Sequence, residues 1–345
     1  MTSDAGLNGP VEATAPGSRH DAPATLLVEG LTVDLGRKSD SVRVVDRVSF
    51  SLAAGRTLGV VGESGCGKSM TALALMGLTP TPGRLSGSIR LRGQEMVGLS
   101  EAALRHLRGK HIAMIFQEPM TALNPVMPVG AQIAEMLVVH EGLGVRAADR
   151  RGVELLDRVG IAAAPARFQA YPHELSGGMR QRVMIAMAIA CRPALLIADE
   201  PTTALDVSVQ AQILDLLLEL QRDDGMAMLF ISHDLGVVSE MADEIMVMYA
   251  GCSVEYGPAQ GVLKQTAHPY TAGLLATIPR VGRRQAMLPV IRGRVPDLRR
   301  RPSGCAFAPR CPHAAEPCRR APPALHPAGP GHEAACIRLE RQPWP

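Results

Sequence analysis

Gly62-Glu63-Ser64-Gly65-Cys66-Gly67-Lys68-Ser69 lies between an apolar run, Thr57-Leu58-Gly59-Val60-Val61, and the segment Met70-Thr71-Ala72-Leu73-Ala74-Leu75-Met76. The first flank reads as a buried strand and the second as a helix. A strand, a glycine loop, Lys-Ser and a helix make a P-loop. Its glycines let backbone N–H groups turn inward around a polyphosphate, where a β-carbon would obstruct. The helix start adds partial positive charge at the same place. Gly62, Ser64, Gly65, Cys66, Gly67 and Met70 are therefore expected to wrap phosphates. Lys68 can reach the β- and γ-phosphates, and the Ser69 hydroxyl can ligate Mg²⁺. A glycine turn alone would carry little weight, but the full spacing with both flanks commits the chain to nucleotide binding.

Composition narrows the use of that nucleotide. The chain has 345 residues, room for one large or two modest domains, and 46% hydrophobic residues, enough for a real core. A formal net charge of +3 is too small to argue for nucleic acid, and 3% aromatics disfavour base-stacking platforms. No apolar run approaches the roughly 18 to 20 residues of a membrane span. Residues 1–24, rich in Ala, Pro, Gly and Ser without an apolar signal core, read as a disordered tail on a cytoplasmic protein. Of the seven cysteines, Cys305, Cys311, Cys318 and Cys336 crowd the end.

In chain order, Leu26–Leu35 and Val42–Leu52 read as strands, and Gly83–Arg92 as another strand hairpin. Between Leu99 and Tyr171 the pattern turns mainly helical, around a short apolar strand, Ile112–Phe116, that ends at Gln117. Ser176-Gly177-Gly178 then opens a helix, a second potential anion site. Ala194–Glu200 is an apolar strand ending in two carboxylates. Acids so placed fall at the carboxyl edge of a sheet, where ligands bind. Asp199 suits Mg²⁺, and Glu200 suits polarisation of an attacking water. Ala227–Ser232 is a further buried strand, after which His233 can reach a γ-phosphate. Gly261–Leu275 reads as helical with an interruption at Pro269. The run Arg292, Arg294, Arg299, Arg300 and Arg301 reads as a solvated surface strip before a lipid-headgroup contact.

Taken together, the motifs from Leu26 to Gly257 resemble the nucleotide-binding subunit of an ABC transporter. They are the Walker A loop Gly62–Ser69, the Q-loop at Gln117, the signature Leu175–Gln181, the Walker B strand closing on Asp199 and Glu200, the D-loop Ala204-Leu205-Asp206 and the switch His233. The resemblance narrows to the ATPases of peptide and nickel importers. Met114–Met120 with Leu123-Asn124-Pro125, Ala198–Val207, His268-Pro269-Tyr270-Thr271, and Gly304-Cys305 with Pro309–Pro312 carry it, and their wording looks more like the dipeptide-permease D-type subunit than its F-type partner. It implies an α/β fold, a P-loop ABC ATPase core with a β-rich N-terminal subdomain, an inserted helical subdomain and a small cysteine-containing extension. The implied bounds are an ATPase domain over 25–258, its helical part at about 97–185, and an extension over 259–345. One departure stands out, since Arg37–Val45 holds no aromatic residue to stack on adenine and leaves Val42 or Arg43 to cover it.

The resemblance implies head-to-tail pairing of two ATPase subunits. Ser176, Gly177, Gly178 and Gln181 would then act on the partner's ATP. Lys68, Ser69, Gln117, Asp199, Glu200 and His233 would act on the ATP bound to this chain, with Mg²⁺ held through Ser69, Gln117 and Asp199 and with Glu200 as general base or water-orienting group. It also implies two membrane permease subunits docked near Gln117–Val129, a sister ATPase chain, an extracytoplasmic solute-binding protein acting indirectly, and a place on the cytoplasmic face of the membrane. Four thiolates can hold Zn²⁺ or a [4Fe–4S] cluster, and likeness of the tail to cluster-bearing peptide-importer ATPases favours the cluster. Competing readings are a soluble ABC-type ATPase acting on nucleic acid or ribosomes, an importer ATPase for nickel chelates, and a non-catalytic regulatory subunit. A single cassette with a short insertion weighs against the first, and the presence of Glu200, Ser176 and His233 against the last.

Overall fold

The computed structural model describes residues 24–37, 39–203, 205–278 and 290–339. The expected tail lies outside them apart from Ala24, and so does Ala204 of the D-loop. Among the described residues twelve strands form two sheets. They are β1 (Ala24–Leu35), β2 (Val42–Ala53), β3 (Thr57–Val61), β4 (Gly83–Leu91), β5 (Gln94–Glu95), β6 (Ile112–Ile115), β7 (Leu195–Asp199), β8 (Ala227–Ser232), β9 (Glu244–Tyr249), β10 (Cys252–Pro258), β11 (His326–Gly329) and β12 (His332–Ala334). The smaller sheet is antiparallel in the order β2-β1-β4-β5, and the larger runs β11-β12-β10-β9-β3-β8-β7-β6. In the larger sheet β6, β7, β8, β3 and β9 are mutually parallel, whereas β10, β12 and β11 join antiparallel.

Parallel strands covered on both faces need apolar side chains at nearly every position. Every residue of β3, β7, β8 and β9 is buried. Alternation then deals successive side chains to opposite layers. Leu58, Val60, Leu195, Ile197, Leu229 and Ile231 pack toward the smaller sheet and the helix Lys68–Leu75. Val61, Leu196, Ala198, Met228 and Phe230 pack against the helical insertion. Each of these side chains larger than alanine contributes roughly 1.5–3 kcal/mol of transfer free energy. The insertion is built from helices Glu101–Leu107, Val129–Glu141, Val145–Arg158 and Gly177–Ile189. The first is capped by Ser100, whose Oγ accepts the Ala103 N–H at 3.3 Å.

The region after Pro258 is helical with an interruption ahead of Pro269, as its sequence reads. Gly261–Leu275 resolves into two helices, Ala259–Lys264 and Pro269–Ala276. His268 makes the break, because its Nδ1 accepts the Tyr270 N–H at 3.1 Å and Pro269 needs no such partner. The buried Glu255 of β10 accepts from the N–H groups of Ala267 and His268 at 2.7 and 3.0 Å, and His332 Nε2 lies 2.8 Å from it. β12 thereby extends the main sheet, with Glu255 opposite Ala334. The arginine run is not uniformly a solvated strip. Arg299 pairs with Asp40 in solvent, but Arg301 is mostly buried, 2.9 Å from Asp46. Among the described residues no helix is long and apolar enough to cross a membrane.

Candidate active site

The phosphate loop joins the end of β3 to the helix Lys68–Leu75 at the carboxyl edge of the parallel strands. Gly62 and Gly67 have φ of +154° and +103°. A β-carbon on Gly62 would sit 2.2 Å from the Met248 carbonyl oxygen and 2.7 Å from Cys66 Sγ, and one on Gly67 would sit 2.8 Å from the Val44 oxygen. Gly67 is also the residue before the helix, whose first-turn N–H groups have no carbonyl partner within the helix. Lys68 is buried and its Nζ donates to the Gly62 and Glu63 carbonyl oxygens at 2.7 and 3.3 Å. Burial pushes the Cys66 thiol up, against the opposing charge of Lys68.

Strand β7 delivers the acids. Ser69 Oγ donates to Asp199 Oδ1 at 3.1 Å, bringing together the two side chains expected at Mg²⁺. Burial raises the Asp199 carboxyl above its usual range, partly offset by that hydroxyl. A cation placed between these oxygens would relieve the desolvation cost. Glu200 adopts φ +49°, rare for a residue with a side chain, and its N–H donates to the Ile231 oxygen at 2.9 Å. Three groups meet its Oε2, which accepts from Gln117 Nε2 at 3.2 Å and Thr203 Oγ1 at 2.9 Å and lies 3.1 Å from His233 Nδ1. Gln117, Glu200 and His233 thus converge, while Gln117 turns to Glu200 rather than to the Ser69–Asp199 pair. Thr203 was not singled out by the sequence. Its only signal was its place three residues after Glu200, one turn onward.

The signature splits in two. Ser176 caps the helix Gly177–Ile189, its Oγ accepting the Met179 N–H at 3.3 Å, and Ser176 and Gly177 are exposed. Gln181 instead points inward, 2% exposed, and its Nε2 has no partner among the described residues. The two residues offered for adenine differ as well. Arg43 is engaged with Asp34 at 2.9 Å, and Val42 is half-buried.

Two residues of the C-terminal motifs, to which the sequence assigned no place at the ATP site, touch the loop. The Glu63 N–H donates to Tyr270 Oη at 2.9 Å, and Arg310 grips both carboxylate oxygens of Glu63. Further out, Cys305, Cys311, Cys318 and Cys336 line one small cavity with His268, Phe307 and His313. The Cys305 N–H donates to the Cys318 oxygen at 2.8 Å. Burial pushes the thiols of Cys305, Cys311 and Cys336 up. Among the described residues no three His, Cys, Asp or Glu side chains are drawn into metal-binding geometry.

Comparison with known proteins agrees with this geometry. Residues 45–203 match the family model for the ABC transporter, and residues 254–318 match that for the oligopeptide/dipeptide transporter C-terminal region. The chain is 52% identical over 318 residues to the oligopeptide transport ATP-binding protein OppD of Salmonella typhimurium, covering 92% of this chain and 95% of that protein. It is 49% identical over 314 residues to the dipeptide transport ATP-binding protein DppD of Escherichia coli, covering 91% and 96%. Among solved structures, cbiO1 from Clostridium perfringens, part of the ABC transporter complex cbiONQ, has a TM-score of 0.59 at 26% identity over 70% of this chain and 91% of that one. The ATP-binding cassette MJ0796, solved as a dimer bound to ADP and Pi, has a TM-score of 0.61 at 24% identity over 68% and 99%.

Proposed function

The chain belongs to the ABC transporter family of ATP-binding proteins, and from that premise we propose that it hydrolyses ATP to drive import of peptides through a membrane permease. The convergence of Gln117, Thr203 and His233 on the Glu200 carboxylate, beside a complete phosphate loop, is the observation that carries this reading. The similarity to OppD and DppD over more than nine-tenths of this chain supports peptides as the cargo class. The 254–318 match supports the same branch.

In this reading the loop glycines and Lys68 bind the triphosphate, and Ser69 and Asp199 hold Mg²⁺. The cation supplies charge neutralisation on the transferring phosphoryl group. Glu200, held at the end of β7, takes a proton from the attacking water. His233 and Gln117 fix the orientation of its carboxylate, a positioning contribution of the kind that sets phosphoryl-transfer rates. Ser176 and Gly177, exposed at the start of their helix, would close on ATP held by a second ATPase chain, a sister subunit. Gln181 would support that turn from within, because its side chain is buried. Met120 and Val126 are 59% and 78% exposed beside Gln117, and supply an apolar face for cytoplasmic helices of two permease subunits. An external solute-binding protein would act only through that permease, and the chain itself would sit peripherally on the cytoplasmic face of the membrane.

The four C-terminal thiols suit a soft metal centre, [4Fe–4S] or Zn²⁺. A common cavity lined by four cysteines supports this, although closure onto a metal would require the thiols to draw together. Such a centre would tie residues 305–336 into one unit. Anaerobic purification with an absorption spectrum and iron and zinc analysis tests it. A folded, colourless and metal-free extension would refute both forms.

Reconstitution of this chain with its permease and sister ATPase in lipid vesicles tests the main proposal. ATP-dependent peptide accumulation is expected. Failure to associate with membrane subunits, together with tight retention of RNA or DNA, would favour a soluble nucleic-acid or ribosome ATPase instead. Uptake of a nickel chelate in place of peptide would redirect the cargo alone.

A further inference from the structure

The second residue of the phosphate loop is a carboxylate, Glu63, at a place meant for polyanions. Its charge is countered from 247 residues away in sequence. Arg310 binds it with both terminal nitrogens, Nη2 to Oε1 at 2.9 Å and Nη1 to Oε2. Only 4% of the Arg310 side chain is exposed, against 31% of Glu63. The guanidinium is fully used, since Nε donates to the Arg292 oxygen at 2.9 Å and Nη1 reaches Tyr249 Oη at 3.3 Å. Tyr270 holds the same residue by its backbone, and burial pushes its phenol far up, so that it stays neutral. Tyr249, Tyr270 and Phe307 pack edge-on or tilted at 4.7–5.3 Å between ring centroids and wall in the pair.

We propose that Arg310 is a positioning residue of the ATP site: it neutralises Glu63 and, with Tyr270, holds the entrance of the phosphate loop in its anion-binding form, so that ATP affinity depends on the C-terminal extension. This rests on the ATPase reading above. Without Arg310 the Glu63 carboxylate would be an uncompensated negative charge one residue from Gly62, whose carbonyl receives Lys68. It would then compete with the triphosphate for Lys68 and repel it. A bidentate guanidinium–carboxylate pair also fixes direction, which a lysine cannot do as well. Arg310 directly precedes Cys311, and its N–H and that of Cys311 both donate to the Phe307 oxygen at 2.9 and 3.0 Å. The order of the cysteine-rich turn therefore sets the position of the arginine.

The test is ATP binding by titration, with the assembled transporter and its steady-state kinetics, for Arg310→Gln, Glu63→Gln and the double variant. Arg310→Gln should weaken ATP binding and raise KM about tenfold, as expected for one like charge exposed near the phosphates, with kcat at saturating ATP within about twofold of wild type. Glu63→Gln should bind ATP more tightly than Arg310→Gln, and adding it to Arg310→Gln should restore affinity to within about threefold. Unchanged affinity in Arg310→Gln, or a loss that Glu63→Gln does not relieve, overturns the proposal. If Arg310→Gln does not accumulate, the double variant decides, because weak ATP binding there would refute the neutralising role. A wild-type complex that binds no ATP would instead sink the ATPase reading itself.

Discussion

His233 Nδ1 lies 3.1 Å from Glu200 Oε2, which ties the loop after β8 to the end of the neighbouring strand β7. The two side chains differ in setting. His233 is 61% exposed and Glu200 only 13%. The acid is therefore enclosed by the fold while the histidine presents its ring to solvent, an arrangement that suits a base fixed in place and a group open to the γ-phosphate. Replacing His233 by Ala is expected to lower kcat about a hundredfold, within the range of acid–base and positioning contributions. ATP affinity should change much less. Steady-state ATPase kinetics of the assembled complex check this.

Thr203 should contribute through the same oxygen. Its hydroxyl donates to Glu200 Oε2 at 2.9 Å. Thr203→Val keeps the shape and removes one hydrogen bond, worth about 1 kcal/mol, so kcat should fall roughly fivefold. Thr203→Ser should retain most of the rate. Equal rates for Val and Thr at this position would remove Thr203 from the site.

The phosphate loop is also a packing element. Gly62→Ala would force a β-carbon against the Met248 carbonyl and Cys66. The variant should lose about 2 kcal/mol or more of stability together with ATP binding, seen as a lower Tm by calorimetry. Gly65, whose added β-carbon would meet nothing within 4 Å, serves as a control. Its Ala variant should unfold closer to wild type, with only the strain of a positive φ.

His268 predicts an acid limb. Burial holds its pKa down to about 3, against 6.5 for the free side chain. A depressed histidine contributes stability that is full above 6.5 and drains away as pH falls from 6.5 toward 3. Protonation would also turn Nδ1 from acceptor to donor against the Tyr270 N–H. His268→Asn, which can still accept from that N–H, should flatten the loss of Tm between pH 6.5 and 4. An unchanged slope would contradict the assignment.

What the sequence made legible is local. The P-loop, the acidic end of β7 and the serine cap of the signature helix each occupy a few consecutive residues whose spacing has one physical meaning. Within the loop Lys68 lies on the Gly62 oxygen, and the end of β7 sets Asp199 on Ser69. What stayed hidden depends on contacts distant in sequence. No local pattern announces that β12 pairs with β10, that Arg301 reaches Asp46, or that Arg310 reaches Glu63, since the partners lie tens to hundreds of residues apart. Short elements were missed for a related reason. The helix Leu235–Met241 is seven residues long, too short to show a clear period, and is marked mainly by Asp234, whose carboxylate accepts from the Gly236 N–H at 2.8 Å. Gln181 shows the limit of motif reading, since a residue inside a recognised motif is buried structure here.

The most direct measurement is Mg²⁺-dependent ATP hydrolysis by the assembled transporter, wild type against Glu200→Gln, with ATP binding measured on both. The account predicts that the variant binds ATP within about twofold of wild type and turns it over at least a hundredfold more slowly. A variant that hydrolyses ATP at the wild-type rate would contradict it.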